Sequence, residues 1–181
     1  MNAAGVTRSY SEIESASARL ARVLRDRGLD VGDHIAVLMD NQVEFYNVIW
    51  AAARIGVYIT PINWHLVAAE AGYILRDCDA TALFASASLA DVIAQFGDDM
   101  AGVTTRVCVD GHIDGFENLA ELVAGVDDSP LPDERAGGWM FYSSGTTGQP
   151  KGILPPLAPG HLGAPSFLPG MLRGLSGFNP D

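Results

Sequence analysis

The chain has 181 residues and a mass of 19.1 kDa, enough for one domain with a real hydrophobic core and too little for two independent ones. Apolar residues make up 48% and charged residues 18%, a globular balance that excludes wholesale disorder. Eleven Lys plus Arg against 22 Asp plus Glu leave a formal charge of -11, which excludes gripping nucleic acid or anionic lipid by bulk charge and requires any phosphate to be held locally.

Residues 1–10 lack the apolar core of a secretory signal, and residues 7–10 read as a short extended lead-in. Ser11 and Glu14 have the S-x-x-E spacing of a capping box, which predicts a helix start there. Ile13, Ala16, Leu20 and Val23 then recur at helical spacing with Arg19, Arg22 and Asp26 on the other face, and Gly28 offers a stop. Gly32 marks a turn, and residues 35–38 form an apolar run of strand length. Asn41 and Glu44 repeat the capping-box spacing ahead of a helix through Phe45, Ile49, Trp50 and Ala53. This helix is apolar nearly all round, with Tyr46 and Trp50 spaced for its core, so it is expected to pack on more than one side and to end near Gly56.

The alternation continues with a strand at 57–60 ending in Pro61, a helix over 68–76 and a strand at 81–85. Ser88 is expected to cap a shorter helix reaching Phe96, and residues 105–109 form another strand. Strands alternating with helices predict right-handed crossovers and an α/β fold with a mainly parallel sheet and helices on both faces. The most apolar region, residues 45–64, is interrupted by Asn47, Arg54 and Pro61 and predicts no membrane span. Residues 1–126 thus read as an α/β subdomain. Residues 127–138, with two prolines, acidic pairs and a Gly pair, read as an exposed linker whose charges are solvated. Residues 139–154 hold a strand and a polar loop. Residues 155–181 form a Gly- and Pro-rich tail in which only 167–175 could make a short helix.

Cys78 and Cys108 fit neither a disulfide framework nor a metal spacing and read as buried thiols, with a reducing cytoplasm as the default location. His34, His65, His112 and His161 are far apart, and no pair has ligand spacing. Ten of the 11 basic residues are arginine, and Lys151 is the only lysine.

Lys151 closes the segment Ser143-Ser144-Gly145-Thr146-Thr147-Gly148-Gln149-Pro150-Lys151-Gly152. Such a segment has the parts of a polyphosphate cradle: glycines let backbone N–H groups converge, hydroxyls donate hydrogen bonds, and the lysine adds a mobile positive charge. It is not a Walker A loop, because Gly152 rather than Ser or Thr follows the lysine and Pro155 and Pro156 forbid a helix soon after.

Residues 142–152 resemble the phosphate-binding signature of the adenylate-forming superfamily, which includes acyl- and aryl-CoA synthetases, luciferases and amino-acid adenylation domains. Upstream blocks are similar too: Tyr10-Ser11-Glu12-Ile13, Gly28 to Asp33, Asn41-Gln42-Val43-Glu44, Gly56 to Asn63, and Tyr73 to Asp77. The resemblance implies that the fold is the first part of that family's large N-terminal domain. It implies a ligase that converts a carboxylic acid, such as a fatty acid, and ATP into acyl-adenylate and pyrophosphate, then forms a thioester with coenzyme A. By similarity Ser143, Ser144, Thr146 and Thr147 bond the β- and γ-phosphates, Lys151 neutralises the departing pyrophosphate, and Gly145, Gly148 and Gly152 shape the loop. Mg2+ is implied as a cofactor, its ligand having no counterpart in this sequence.

The family's later features also lack a counterpart. The expectation is therefore an N-terminal fragment of an acyl-CoA ligase, inactive as an isolated chain and prone to self-association through exposed apolar surface. Two other readings stay open: a non-catalytic truncated paralogue that binds nucleotide or a partner protein, and an acyl-AMP ligase or amino-acid-adenylating domain that loads a carrier protein.

Overall fold

Alternation of short apolar runs with amphipathic helices is realised along most of the chain in the computed structural model, which describes residues 1–3, 5–143, 149–158 and 160–161. A small antiparallel hairpin, β1 (Asn2–Ala3) with β2 (Val6–Thr7), precedes α1 (Tyr10–Asp26). There follow β3 (His34–Leu38), α2 (Glu44–Arg54), β4 (Tyr58–Pro61), α3 (Ala68–Asp77) and β5 (Ala82–Ala85). The helical turns Ala87–Leu89 and Gly97–Met100 flank α4 (Ala90–Ile93). Then come β6 (Thr105–Cys108), β7 (Glu117–Asn118), α5 (Leu119–Leu122) and β8 (Gly138–Trp139), followed by a second hairpin, β9 (Phe141–Ser143) with β10 (Lys151–Ile153).

Six strands form one sheet in the order β7-β6-β5-β3-β4-β8, every neighbouring pair parallel. Side chains alternate between its faces, as the strand period demands. Ile35, Val37, Ile59 and Phe84 pack under α1 and α2, with Ala18, Leu24, Val48 and Ala52. Ala36, Leu38, Leu83 and Ala85 pack under α3 and α4, with Ile74, Leu75 and Ile93. Both faces are covered, so strands buried on two sides read as continuous apolar runs.

Several local expectations are corrected. The capping box of α1 is formed by Ser9 and Glu12: the Glu12 amide donates to Ser9 Oγ at 3.2 Å and the Ser9 amide to Glu12 Oε2 at 2.7 Å. Ser9 and Glu12 have the same spacing as Ser11 and Glu14, and the apolar stripe tolerates either start; Glu14 is instead taken by Arg54. Ahead of α2 the N-cap is Val43, with no side-chain cap from Asn41, because the helix starts at Glu44, two residues too late for Asn41 to be the N-cap. Ser88 caps nothing and donates to Asp40 at 3.0 Å. Trp50 is 41% exposed and Tyr46 half-buried, while Val48, Ala51 and Ala52 carry the core of α2.

The segment before β8 is exposed over most of its length but is tied to α1. Arg19, Arg22 and Arg25 of α1 pair with Asp128, Asp127 and Asp133 at 2.9, 3.2 and 2.5 Å, and Leu131 is buried. Arg22 also donates to the Ser129 carbonyl at 2.7 Å. Beneath this strap Arg54 is only 3% exposed; it donates to Glu134 at 2.6 Å and to Ser17 at 3.2 Å, and also pairs with Glu14. The strap carries the chain from one edge of the sheet to the other, delivering β8 beside β4.

Hydrogen bonds from Ser129 to Asp127, from Ser15 and then Arg19 to Asp128, and from Arg25 to Asp133 hold these carboxyls below their usual range. Depressed carboxyls contribute stability above the unfolded-state value, near pH 4, and lose it as pH falls through their lower folded-state values. Acidification from about pH 4 downward is therefore expected to release the strap first, and salt of about 0.5 M to weaken it at neutral pH. Protease cleavage in residues 126–133, followed against pH and salt, checks this; cleavage equally slow in all conditions would contradict it.

Candidate phosphate-binding hairpin

β8 leaves the sheet edge and passes directly into β9. The Gly138 and Met140 amides still donate to the carbonyls of Val57 and Ile59, at 3.2 and 2.9 Å. Beyond Met140 the chain peels away and pairs with β10 in the register Phe141 to Ile153, Tyr142 to Gly152 and Ser143 to Lys151. Ser143 and Lys151 thus stand opposite each other at the end of the hairpin that adjoins residues 144–150, both exposed, and directly opposed residues in an antiparallel pair project to the same face. Lys151 makes no ion pair among the described residues. Ser144, Gly145, Thr146, Thr147 and Gly148, which carry most of the expected donors, lie outside the described residues.

Gly152 has a packing reason of its own. A Cβ there would fall 2.5 Å from Met140 Cε and 3.3 Å from the Tyr142 ring, so the bare backbone lets β10 lie against both. Trp139 and Phe141 stack with centroids 5.7 Å apart at 7°, and Phe141 remains 46% exposed. The return limb is also held: Tyr58 Oη donates to the Pro155 carbonyl at 2.8 Å, and the Ala136 amide to the Gly160 carbonyl at 3.2 Å. At the start of the Gly- and Pro-rich tail expected over residues 155–181, Pro155 thus meets β4 through its carbonyl, and Leu157 Cδ2 would lie 2.8 Å from a Cβ at Gly138 of β8.

A second polar group, missed from the sequence, sits at the carboxyl ends of β3, β5 and β6. Gln42 Nε2 lies 2.5 Å from Asp40 Oδ1, 2.9 Å from Ser86 Oγ and 2.6 Å from Asp110 Oδ2. Burial would raise the Asp40 carboxyl, but donors from Gln42, Ser88 and Ser86 together hold it below its usual range. The chain order reverses between β3 and β5, and a crevice outside the strand ends at such a switch point is the general ligand position in open α/β sheets. Here a cleft of about 500 Å3 is lined by Asp40, Gln42, Val43, Trp64 and Asp110 among others. The signal was the scatter of Asp, Gln and Ser just after apolar runs, unreadable until strand order is known.

Cys78 and Cys108 are free and buried, as expected, and burial pushes the Cys78 thiol up to about 11, which leaves it unreactive. His34 stacks on Tyr58 at 4.9 Å, and desolvation lowers its pKa. Among the described residues no three His, Cys, Asp or Glu are grouped to hold a metal ion, and no helix is long and apolar enough to cross a membrane.

Residues 1–155 match the family described as AMP-binding enzyme. The long-chain-fatty-acid–CoA ligase FadD13 of Mycobacterium tuberculosis is 34% identical over 157 residues, covering 82% of this chain and 29% of that protein. The 4-hydroxybenzoate–CoA/benzoate–CoA ligase of Rhodopseudomonas palustris is 31% identical, covering 81% of this chain and 28% of that protein. The inhibitor-bound crystal structure of the N-terminal domain of FACL13 from Mycobacterium tuberculosis superposes with a TM-score of 0.69 at 31% identity, covering 82% of this chain and 37% of that one. The chain therefore spans less than a third of the length of these curated relatives.

Proposed function

The chain belongs to the AMP-binding enzyme family, and from that membership we propose that its β9–β10 hairpin grips the triphosphate of ATP for an acyl-CoA ligase reaction. In that reaction a carboxylate oxygen attacks the α-phosphorus of ATP and the bond to the β-phosphate breaks, giving acyl-adenylate and pyrophosphate. The sulfur of coenzyme A then attacks the acyl carbonyl and AMP departs. The first step asks little covalent chemistry of the protein, so positioning and charge neutralisation dominate. Ser143, Ser144, Thr146 and Thr147 donate hydroxyl hydrogen bonds to the β- and γ-phosphates, and Lys151 balances the charge that builds on the leaving pyrophosphate.

The observation that carries this reading is Lys151, the chain's one lysine, exposed opposite Ser143 at the end of the hairpin that adjoins residues 144–150 and without an ion-pair partner among the described residues. In a protein of net charge -11, carboxylates would ordinarily claim such an ammonium. The names of the relatives support a carboxylic acid, fatty or aromatic, as the acyl substrate and coenzyme A as its acceptor. Magnesium finds no group of three or more candidate ligands among the described residues.

Competition binding on the 181-residue chain tests the phosphate grip. Inorganic tripolyphosphate is expected to displace ATP, and AMP, which lacks the β- and γ-phosphates, to displace it far less. Displacement by AMP with none by tripolyphosphate would overturn the reading.

A further inference from the structure

One contact of the hairpin that bears the phosphate segment comes from far away in sequence. Tyr142 Oη donates to Asp77 Oδ2 at 2.6 Å, across 65 positions of chain. Asp77 is the last residue of α3, where the negative end of the helix dipole disfavours a carboxylate. Two phenols offset this: Tyr142 binds one oxygen, and Tyr73, one helical turn back, donates to the other at 3.2 Å. Tyr142 is half-buried and immediately precedes Ser143, so the contact fixes the outgoing limb one residue before the polar segment begins. The incoming limb is fixed by the Tyr58 bond to the Pro155 carbonyl.

We propose that Asp77 is a positioning residue for the phosphate-binding hairpin: by accepting the Tyr142 hydroxyl it anchors β9 to α3 and sets where Ser143 and Lys151 meet the triphosphate. The proposal rests on the phosphate reading above. Asp77 touches no substrate; it acts through Tyr142. The chemistry suits an anchor that must persist across conditions, because phenol to carboxylate is a charge-assisted bond of short length.

The lone lysine supplies the test. A lysine-specific endoproteinase can cut the 181-residue chain only after Lys151, so its rate reads opening at this hairpin. Tyr142→Phe and Asp77→Ala are each expected to speed cleavage about tenfold, the effect of losing one hydrogen bond to a charged group, with the melting temperature little changed. The double variant should be no faster than either single one, because both remove the same contact. Asp77→Asn, which keeps an acceptor oxygen, should restore slow cleavage. Val48→Ala, which weakens the core between α2 and the sheet and leaves the Asp77–Tyr142 bond in place, measures what global loosening does and should speed cleavage less.

Tripolyphosphate should slow cleavage of the natural chain, and about tenfold more of it should be needed in Tyr142→Phe. Unchanged cleavage in Tyr142→Phe and Asp77→Ala, or rates that multiply in the double variant, would overturn the anchor. Tripolyphosphate without effect on the natural chain would overturn the phosphate reading and leave the cleavage rates to decide the anchor.

Discussion

Replacing Arg54 by alanine is expected to destabilise the fold by about 3–5 kcal/mol, the range for removing one partner of a buried ion pair. The side chain is 3% exposed, and its guanidinium serves three partners from two elements: Glu134 at 2.6 Å, Ser17 at 3.2 Å and Glu14. Glu134 is nearly buried too, so the substitution strands a carboxylate beneath the strap with no compensating charge. Chemical denaturation of Arg54→Ala should show a lower midpoint with an unchanged slope, since the same surface is still exposed on unfolding. Removing Glu134 as well should recover part of the loss, because the stranded charge disappears with it. A double variant as unstable as the sum of the two single ones would show that the pair is not coupled. The functional consequence runs through β8: the strap delivers the edge strand that leads into the phosphate hairpin, so loosening it should also speed proteolysis after Lys151.

Lys151→Ala is the substitution with the largest expected effect on ligand binding. Its ammonium is exposed, makes no ion pair among the described residues and lies at the end of a two-stranded hairpin, so the melting temperature should stay where it is. Loss of one charge-assisted contact to phosphate contributes about 1.5–3 kcal/mol, or roughly a 10- to 150-fold rise in the dissociation constant for ATP at the usual 1.4 kcal/mol per decade. In a longer chain that carries out adenylation, carboxylate-dependent exchange of pyrophosphate into ATP should slow about 10²- to 10³-fold, as when a single preorganised donor is lost. Lys151→Arg should retain part of the affinity, because charge is kept while the compact, rotatable ammonium is exchanged for a planar fork. ATP binding unchanged in Lys151→Ala would remove the role assigned to it.

The preference for arginine over lysine has a structural explanation. Arg27 grips Glu117 with two bonds of 2.5 and 2.7 Å, Arg22 spans a carboxylate and two groups of Ser129, and Arg54 bridges three partners. Each uses the guanidinium as a fork, a geometry an ammonium cannot copy. The lysine stands at a position with no such forked partner among the described residues. This division was visible in composition, but the partners were not: Arg19 and Asp128 stand 109 positions apart, and Ser15 and Asp128 stand 113 apart. The acidic pairs of the strap read as solvated charge from their Pro-flanked surroundings, and Asp127, Asp128 and Asp133 are exposed; what packing against α1 adds is their arginine partners and the burial of Glu134.

Among the predicted site residues, Ser143 and Lys151 are brought together by the hairpin register and Gly152 lies beside them, while residues 144–148 lie outside the described residues. The hydroxyl, glycine and lysine content was legible because it is contiguous. The anchoring partners Asp77 and Tyr58 were not, since neither lies near the segment in sequence.

What the sequence determined by itself is local in range: the strand and helix positions of α1, β3, α3 and β5, the apolar runs buried on both sides, and the glycine stop at Gly28, which takes φ of +89°. Backbone periodicity and turn chemistry act over a few residues, and those are written into neighbouring side chains. The strand order with its switch point, the choice between two equally spaced capping boxes, the arginine strap and the Asp77 anchor were decided only in three dimensions. Each depends on groups separated by a helix or more, and their energies exist only once the sheet has closed the distance between them.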